Sequence, residues 1–147
     1  MKWITRSRVH VDRVACPWLI KRFIDLEAEF IFVTKELVME TAQRESAIPF
    51  DIENVELGHK DEHCTFVTLM DKYKLNDSAL RMLADVVNAA DTDKLCSNIY
   101  APGLEAIARG FSFTTEDDFE NLEYQFRVYD ALYTFFRIKT AIECVKK

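Results

Sequence analysis

Residues 2–6, KWITR, alternate polar and apolar positions and include β-prone Trp3 and Ile4, which predicts a short strand. Ser7 to Val11 connects it to a helix that starts at Asp12 and ends near Asp25. Asp12 has the short oxygen-bearing side chain that accepts bonds from the free N–H groups of a helix start. Pro17 falls early in the same helix, where a missing N–H costs least. Residues 29–34, EFIFVT, are aromatic and β-branched and predict a second strand. Strand, helix and strand in close succession make a βαβ unit with parallel or nearly parallel strands. In such a sheet the residues beyond a strand's carboxyl end, here 7–13, line the ligand crevice. Residues 34–45 carry a short helix, and the alternation over 51–56 predicts a third strand.

Gly58 breaks this pattern and opens a polar loop, HKDEHC, over residues 59–64. Phe66, Leu69, Met70 and Tyr73 then recur at helical spacing, and Asp77 caps a further helix carrying Leu80, Leu83, Val87 and Ala90. Asp91-Thr92-Asp93 interrupts it. Pro102 begins a short helix over 103–109 that Gly110 ends. Thr114 or Thr115 starts the longest helix, which runs to about Cys144. Phe119, Leu122, Phe126, Tyr129, Tyr133 and Phe136 form its buried stripe. The predicted architecture is α+β and α-rich: a small mixed sheet with an N-terminal βαβ unit, packed by a helical C-terminal half. With no internal repeat or linker, residues 1–147 read as one domain.

Composition narrows the functional classes. Apolar residues make up 49% of the chain and Gly and Pro number three each, which excludes a disordered or collagen-like chain. The net charge of −6 argues against a nucleic-acid partner, although Lys2, Arg6, Arg8, Arg13, Lys21 and Arg22 cluster near the start. Neither a signal-peptide run nor a segment of membrane-spanning length appears, so a soluble, cytoplasmic protein is expected. The four cysteines (16, 64, 96, 144) lack any CxxC pairing and are expected as thiols.

The densest chemistry lies in residues 10–22, HVDRVACPWLIKR. Near the positive end of a helix and beside Arg13, Cys16 would favour thiolate over thiol. Alternatively it is a small buried hydrophobe next to an Asp12–Arg13 structural ion pair. The second cluster, residues 56–66, offers His59 and Cys64 as ligands for a soft or borderline metal, with Gly58 turning the backbone to aim His59 inward. Asp91 and Asp93 either terminate a helix or complete a cation site. Asp130 lies beside the buried stripe and calls for Arg13, Arg22 or a histidine as partner, unless it sits on an exposed flank. No Gly-rich phosphate loop, GxSxG or Ser-His-Asp order is present.

Taken together, WITR…VDRVACPWLIKRFID, AEFIFV, AIPFD, VELGH…CTF, ADTD and YDALY resemble the chromate-resistance family, specifically its ChrB domain, from Trp3 to about Phe136. The resemblance implies a soluble bacterial protein that protects against chromate, often found beside a chromate efflux transporter. Longer members carry an additional N-terminal portion and are described as chromate-responsive regulators, whereas this chain begins directly at the domain. The matching positions are Asp12, Arg13, Cys16, Pro17, Trp18, Arg22, His59, Cys64, Asp91 and Asp130. Asp12, Arg13, Cys16, Trp18, Arg22, Asp91 and Asp130 are candidate ligand-binding residues, and His59 and Cys64 candidate metal ligands.

Three functions are expected from these residues. The first is an accessory module that binds or senses chromate, a related oxyanion or a metal ion. Its pocket would lie between the Asp12 helix and the 59–64 loop, with Arg13 and Arg22 as anion donors and Cys16 reporting oxidation. The second is a redox or hydrolytic enzyme in which His59, Cys64 and Asp12 or Cys16 hold a divalent metal ion. The third is an interaction domain whose long aromatic helix pairs in a homodimer.

Overall fold

In the computed structural model, which describes residues 1–92 and 94–146, β1 (Lys2–Arg6) is the middle strand of three. It lies between β2 (Glu29–Val33) and β3 (Ile48–Pro49). Trp3 stands opposite Phe30 on one side and Ile48 on the other, and both pairings are parallel. The expected mixed sheet is therefore wholly parallel. Its crossovers are helical: α1 (Asp12–Leu19) joins β1 to β2, and α2 (Val38–Glu45) joins β2 to β3.

A parallel sheet must be covered on both faces. Trp3 points into the large core shared by α1 and the C-terminal helices. Ile4, on the opposite face, packs on Val38 and Ala42 of α2 and on Ala47.

Every residue of α1 except Arg13 is buried. Pro17 lies in its interior rather than its first turn. Beyond it the helix widens into a π-helical turn, Ile20–Ile24, closed by Asp25 N–H donating to the Ile20 carbonyl at 2.7 Å.

Residues 51–56 do not form a strand. Asp51 (φ 51°) and Asn54 (φ 62°) turn the backbone through left-handed conformations, and only a single bridge joins Phe50 to Leu57. The strand lies earlier, at β3, and is two residues long.

α3 (Thr65–Lys72) and α4 (Ser78–Asp91) fall where their apolar spacing placed them. The Asp77 carboxylate caps α4, accepting from Ala79 N at 2.8 Å and Leu80 N at 3.1 Å. α5 (Ala101–Thr114) runs straight through Gly110, which faces open space and exerts no stop. α6 (Asp118–Lys146) packs on α1, α4 and α5. Of its predicted stripe, Leu122, Tyr129 and Phe136 are buried and Phe126 and Tyr133 half-buried, while Phe119 stays exposed with its ring edge against Phe32.

Gly58 sits where the chain turns toward the site, and its reason is space rather than backbone sign. A Cβ there would stand 2.7 Å from the Ile52 carbonyl oxygen, a backbone atom that cannot swing away. Gly58→Ala should therefore destabilise the fold by about 1–3 kcal/mol, read as a drop in the urea midpoint. An unchanged midpoint would mean that the 52–58 turn relaxes freely.

Candidate metal centre

Asp12 is the first residue of α1, but Val11 holds the cap position and no side chain closes the cap. The Asp12 carboxylate reaches instead to the start of α3. Its Oδ2 accepts from Thr65 N at 2.8 Å, its Oδ1 from Phe66 N at 3.2 Å, and the Cys16 thiol donates to Oδ1 at 3.2 Å. It thus caps a helix far along the chain, and the positive end of α3 holds the carboxylate in place.

Asp91 is the last residue of α4, and Asp51 stands two residues beyond β3. His59 projects from the turn between them, with Thr68 Oγ1 pinning the Gly58 carbonyl at 2.8 Å.

These residues converge. His59 Nε2 lies 3.1 Å from Asp91 Oδ2, 3.2 Å from Asp51 Oδ1 and 3.4 Å from Asp12 Oδ2. Asp12, His59 and Asp91 each offer one donor atom, all within 4.8 Å of one another. Donors around a small divalent cation sit roughly 3.0–3.4 Å apart, the edge lengths of an octahedron or tetrahedron with bonds near 2.0–2.1 Å. The spacings at His59 fall in that range.

Asp51 meets His59 while held elsewhere: Arg13 Nη1 lies 3.4 Å from its Oδ2, and Thr65 Oγ1 donates to its Oδ1 at 2.9 Å. Its Oδ1 faces the same Nε2 as the carboxylates of Asp12 and Asp91, so it crowds the ligand edge of the imidazole and not the far ring nitrogen. The carboxylates are deep, Asp12 at 1% exposure and Asp51 at 5%, but the His59 side chain is 47% exposed. The cluster is closed below and open above.

The charges press on one another. Hydrogen bonds with Asp12 and then Asp51 push His59 up to about 10. Burial, then the Asp51 charge, raises Asp12. Burial, then the charges of Asp12 and Asp51, pushes Asp91 up to about 7. Burial works to raise Asp51 too, but His59, Arg13 and the Thr65 hydroxyl outweigh it and hold its carboxyl low. Three carboxylates crowd one imidazole, which as imidazolium offsets part of their charge, and a metal ion there would take the place of its Nε2 proton.

Several sequence expectations change here. Cys16 is fully buried, and burial followed by the Asp12 charge drives its thiol well above the usual range. It is a protonated donor to Asp12, not a thiolate beside Arg13. Arg13 points away, to Asp51 and to the Arg8 carbonyl at 3.1 Å. Cys64 is likewise buried, its thiol raised chiefly by burial, and its N–H donates to Asn88 Oδ1 at 2.9 Å. Among the described residues its sulfur does not join the Asp12–His59–Asp91 group.

Trp18, Arg22 and Asp130 do meet, but as a tie between helices. Asp130 on α6 accepts from Trp18 Nε1 at 2.8 Å, Arg22 Nε at 3.1 Å and Arg22 Nη2 at 3.0 Å. None of these atoms bonds to the His59 cluster. Asp93 lies outside the described residues. Asp51 is the residue of this cluster that sequence reasoning did not single out. Its signal was present, since an acidic residue just past the carboxyl end of a strand occupies the crevice position.

The site's address follows from topology. With order β2-β1-β3, the connection from β1 leads to one side and β3 lies on the other, so the crevice opens at the carboxyl ends of β1 and β3. The chain is thus an α+β protein whose small parallel sheet carries a carboxylate–histidine cluster at the carboxyl ends of its strands. The chain is a member of the family described as ChrB, C-terminal domain, whose profile matches residues 3–136. Protein ChrB of Cupriavidus metallidurans is 32% identical over 136 residues, covering 92% of this chain and 40% of that protein. The chain therefore spans well under half the length of this relative. No solved structure matches it. Among the described residues, no helix is long and apolar enough to cross a membrane.

Proposed function

We propose that this chain is a metal-binding module serving resistance to chromate, with Asp12, His59 and Asp91 as ligands of a divalent cation and Asp51 as a further carboxylate beside them. The observation that carries the reading is the position of His59 Nε2, within 3.4 Å of carboxylate oxygens from three separate parts of the chain. Oxygen donors with a single imidazole suit Mn²⁺, Fe²⁺ or Zn²⁺ better than a soft thiophilic ion. The role in chromate resistance rests on the ChrB family membership and on the motif resemblance.

An anion pocket built on Arg13 and Arg22 is disfavoured. Both guanidinium groups are already paired, with Asp51 and Asp130. An unfilled cluster of carboxylates also repels a dianion.

A second reading, a metal-dependent enzyme, is favoured by the half-exposed His59. Three protein ligands with an open outer face are the arrangement of catalytic rather than structural sites.

Elemental analysis tests the metal itself. Protein stripped with chelator, dialysed against Mn²⁺ or Zn²⁺ and desalted should retain about one equivalent per chain. Retention of neither ion overturns the reading.

A further inference from the structure

Beside the cluster lies a cavity of about 440 Å³, and Asp51 and His59 line both. Its lining also carries Arg6, the last residue of β1, Lys35, which follows β2 by two positions, and Glu53, the partner of Lys35. Three strand ends thus contribute to one space. It opens at the carboxyl edge of the sheet, where open parallel sheets hold their ligands.

The two cations are under-used. Arg6 Nε is buried and has no hydrogen-bond partner among the described residues. A buried N–H donor without an acceptor is uncommon and asks for an explanation. Lys35 meets only Glu53, at 3.4 Å, with side-chain exposures of 52% and 79%. Such a solvent-exposed pair is weak and readily exchanged for a better acceptor. Asn54, held at φ 62°, adds an amide to the same rim. A guanidinium fork and an ammonium group on the lining of one cavity match the oxygens of a tetrahedral anion.

We propose that this cavity seats a ligand bearing a tetrahedral oxyanion group, gripped by Arg6 and Lys35, with its inner oxygens turned toward the cation held at His59. The inner contact rests on the metal reading above, and the outer grip stands on Arg6 and Lys35 alone. The cavity has the volume of a small-molecule site. The anionic group is therefore either a free oxyanion or the phosphate end of a small ester, which share this chemistry. Asp12, Asp51 and Asp91 repel an anion until a cation offsets them, so cation and anion bind with positive coupling.

Calorimetry on the full chain decides the matter, using sodium molybdate, a tetrahedral dianion that spares the thiols, and glycerol 3-phosphate. Mn²⁺-loaded protein should bind at least one of them, and more tightly than chelated protein does. Molybdate binding alone identifies a free oxyanion. Tighter binding of glycerol 3-phosphate than of inorganic phosphate identifies an ester. Either supports the seat. Arg6→Ala and Lys35→Ala should each weaken the anion by about tenfold or more, the loss expected for one charge-assisted contact, while Mn²⁺ affinity titrated without anion stays within a few-fold of wild type. Lys35 is at the surface, so its variant reports even if Arg6→Ala folds poorly.

Unaltered anion affinity in Lys35→Ala and in folded Arg6→Ala overturns the proposal, as does absence of binding by loaded protein. If Mn²⁺ itself fails to bind, the metal reading falls separately. Anion titration of unloaded wild type and variants then still judges the Arg6–Lys35 grip: binding lost in the variants supports it, and absence of binding overturns it.

Discussion

His59→Ala should weaken Mn²⁺ or Zn²⁺ binding by more than the roughly 100-fold that loss of an outer-shell partner costs. The imidazole is the single nitrogen donor in the cluster, and its Nε2 faces Asp12, Asp51 and Asp91 together. Without it only carboxylates remain, two of them already engaged: Asp12 at the start of α3 and Asp51 with Arg13 and Thr65. The side chain is half-exposed and packs into no core, so the helices should persist and circular dichroism should match the wild type.

Cys64→Ala provides the contrast. Its sulfur stands outside the ligand group, and metal affinity should stay within a few-fold of wild type. Calorimetric titration of both variants gives the answer. Equal Mn²⁺ affinity in His59→Ala and wild type, or collapse of affinity in Cys64→Ala instead, would refute this ligand set.

The two segments that concentrate the chemistry, residues 10–22 and 56–66, do meet in space, and His59, Asp12 and Asp91 were all legible as chemistry-bearing residues. Their roles were less legible, because those depend on contacts across long sequence separations. Nothing local says that Asp12 caps the helix starting at Thr65 rather than its own. Even so, the spacing of Asp12 and Cys16 puts them on one face of a helix, and that spacing outranks the adjacency of Cys16 to Arg13. The thiolate expectation failed because Cys16 is fully buried and, after burial, the charge that acts on it most is the negative one of Asp12.

Asp51 was hidden by alternation over 51–56 that mimics a strand, whereas left-handed turns at Asp51 and Asn54 produce it. The helix start at Asp77 was read correctly, whereas α1 takes no cap from Asp12. α6 begins at Asp118 and not at Thr114 or Thr115, since Thr114 still belongs to α5. Stops read from glycine alone failed: Gly110 lies on an open helix face and permits the helix to continue. The parallel pairing of β1 with β2 followed from the βαβ order, but the sheet was expected to be mixed, and β3 was too short to leave a pattern.

Asp12→Ala should cost about 3–4 kcal/mol of stability in chelator-treated protein, the largest loss expected from any single truncation in the cluster. Three buried donors lose their acceptor at once: the N–H groups of Thr65 and Phe66 and the Cys16 thiol. Each buried donor left without a partner costs about 1–3 kcal/mol. Part of this is offset, because the carboxylate is itself penalised by burial and by Asp51, and removing it relieves both.

Chelation matters to the design, since a bound cation would add its own stabilisation to the wild type and mix the two effects. At roughly 2–4 °C per kcal/mol for a chain of this size, the melting temperature should fall by about 6–15 °C. Asp12→Asn separates the charge from the acceptors. Its one carbonyl oxygen can serve Thr65 or Phe66, while its amide faces the other as a second donor, so its loss should fall between those of wild type and alanine. A melting temperature for Asp12→Ala within 2 °C of wild type would mean that α3 needs no cap from α1. The cluster would then be held together by something other than the helix start on which Asp12 sits.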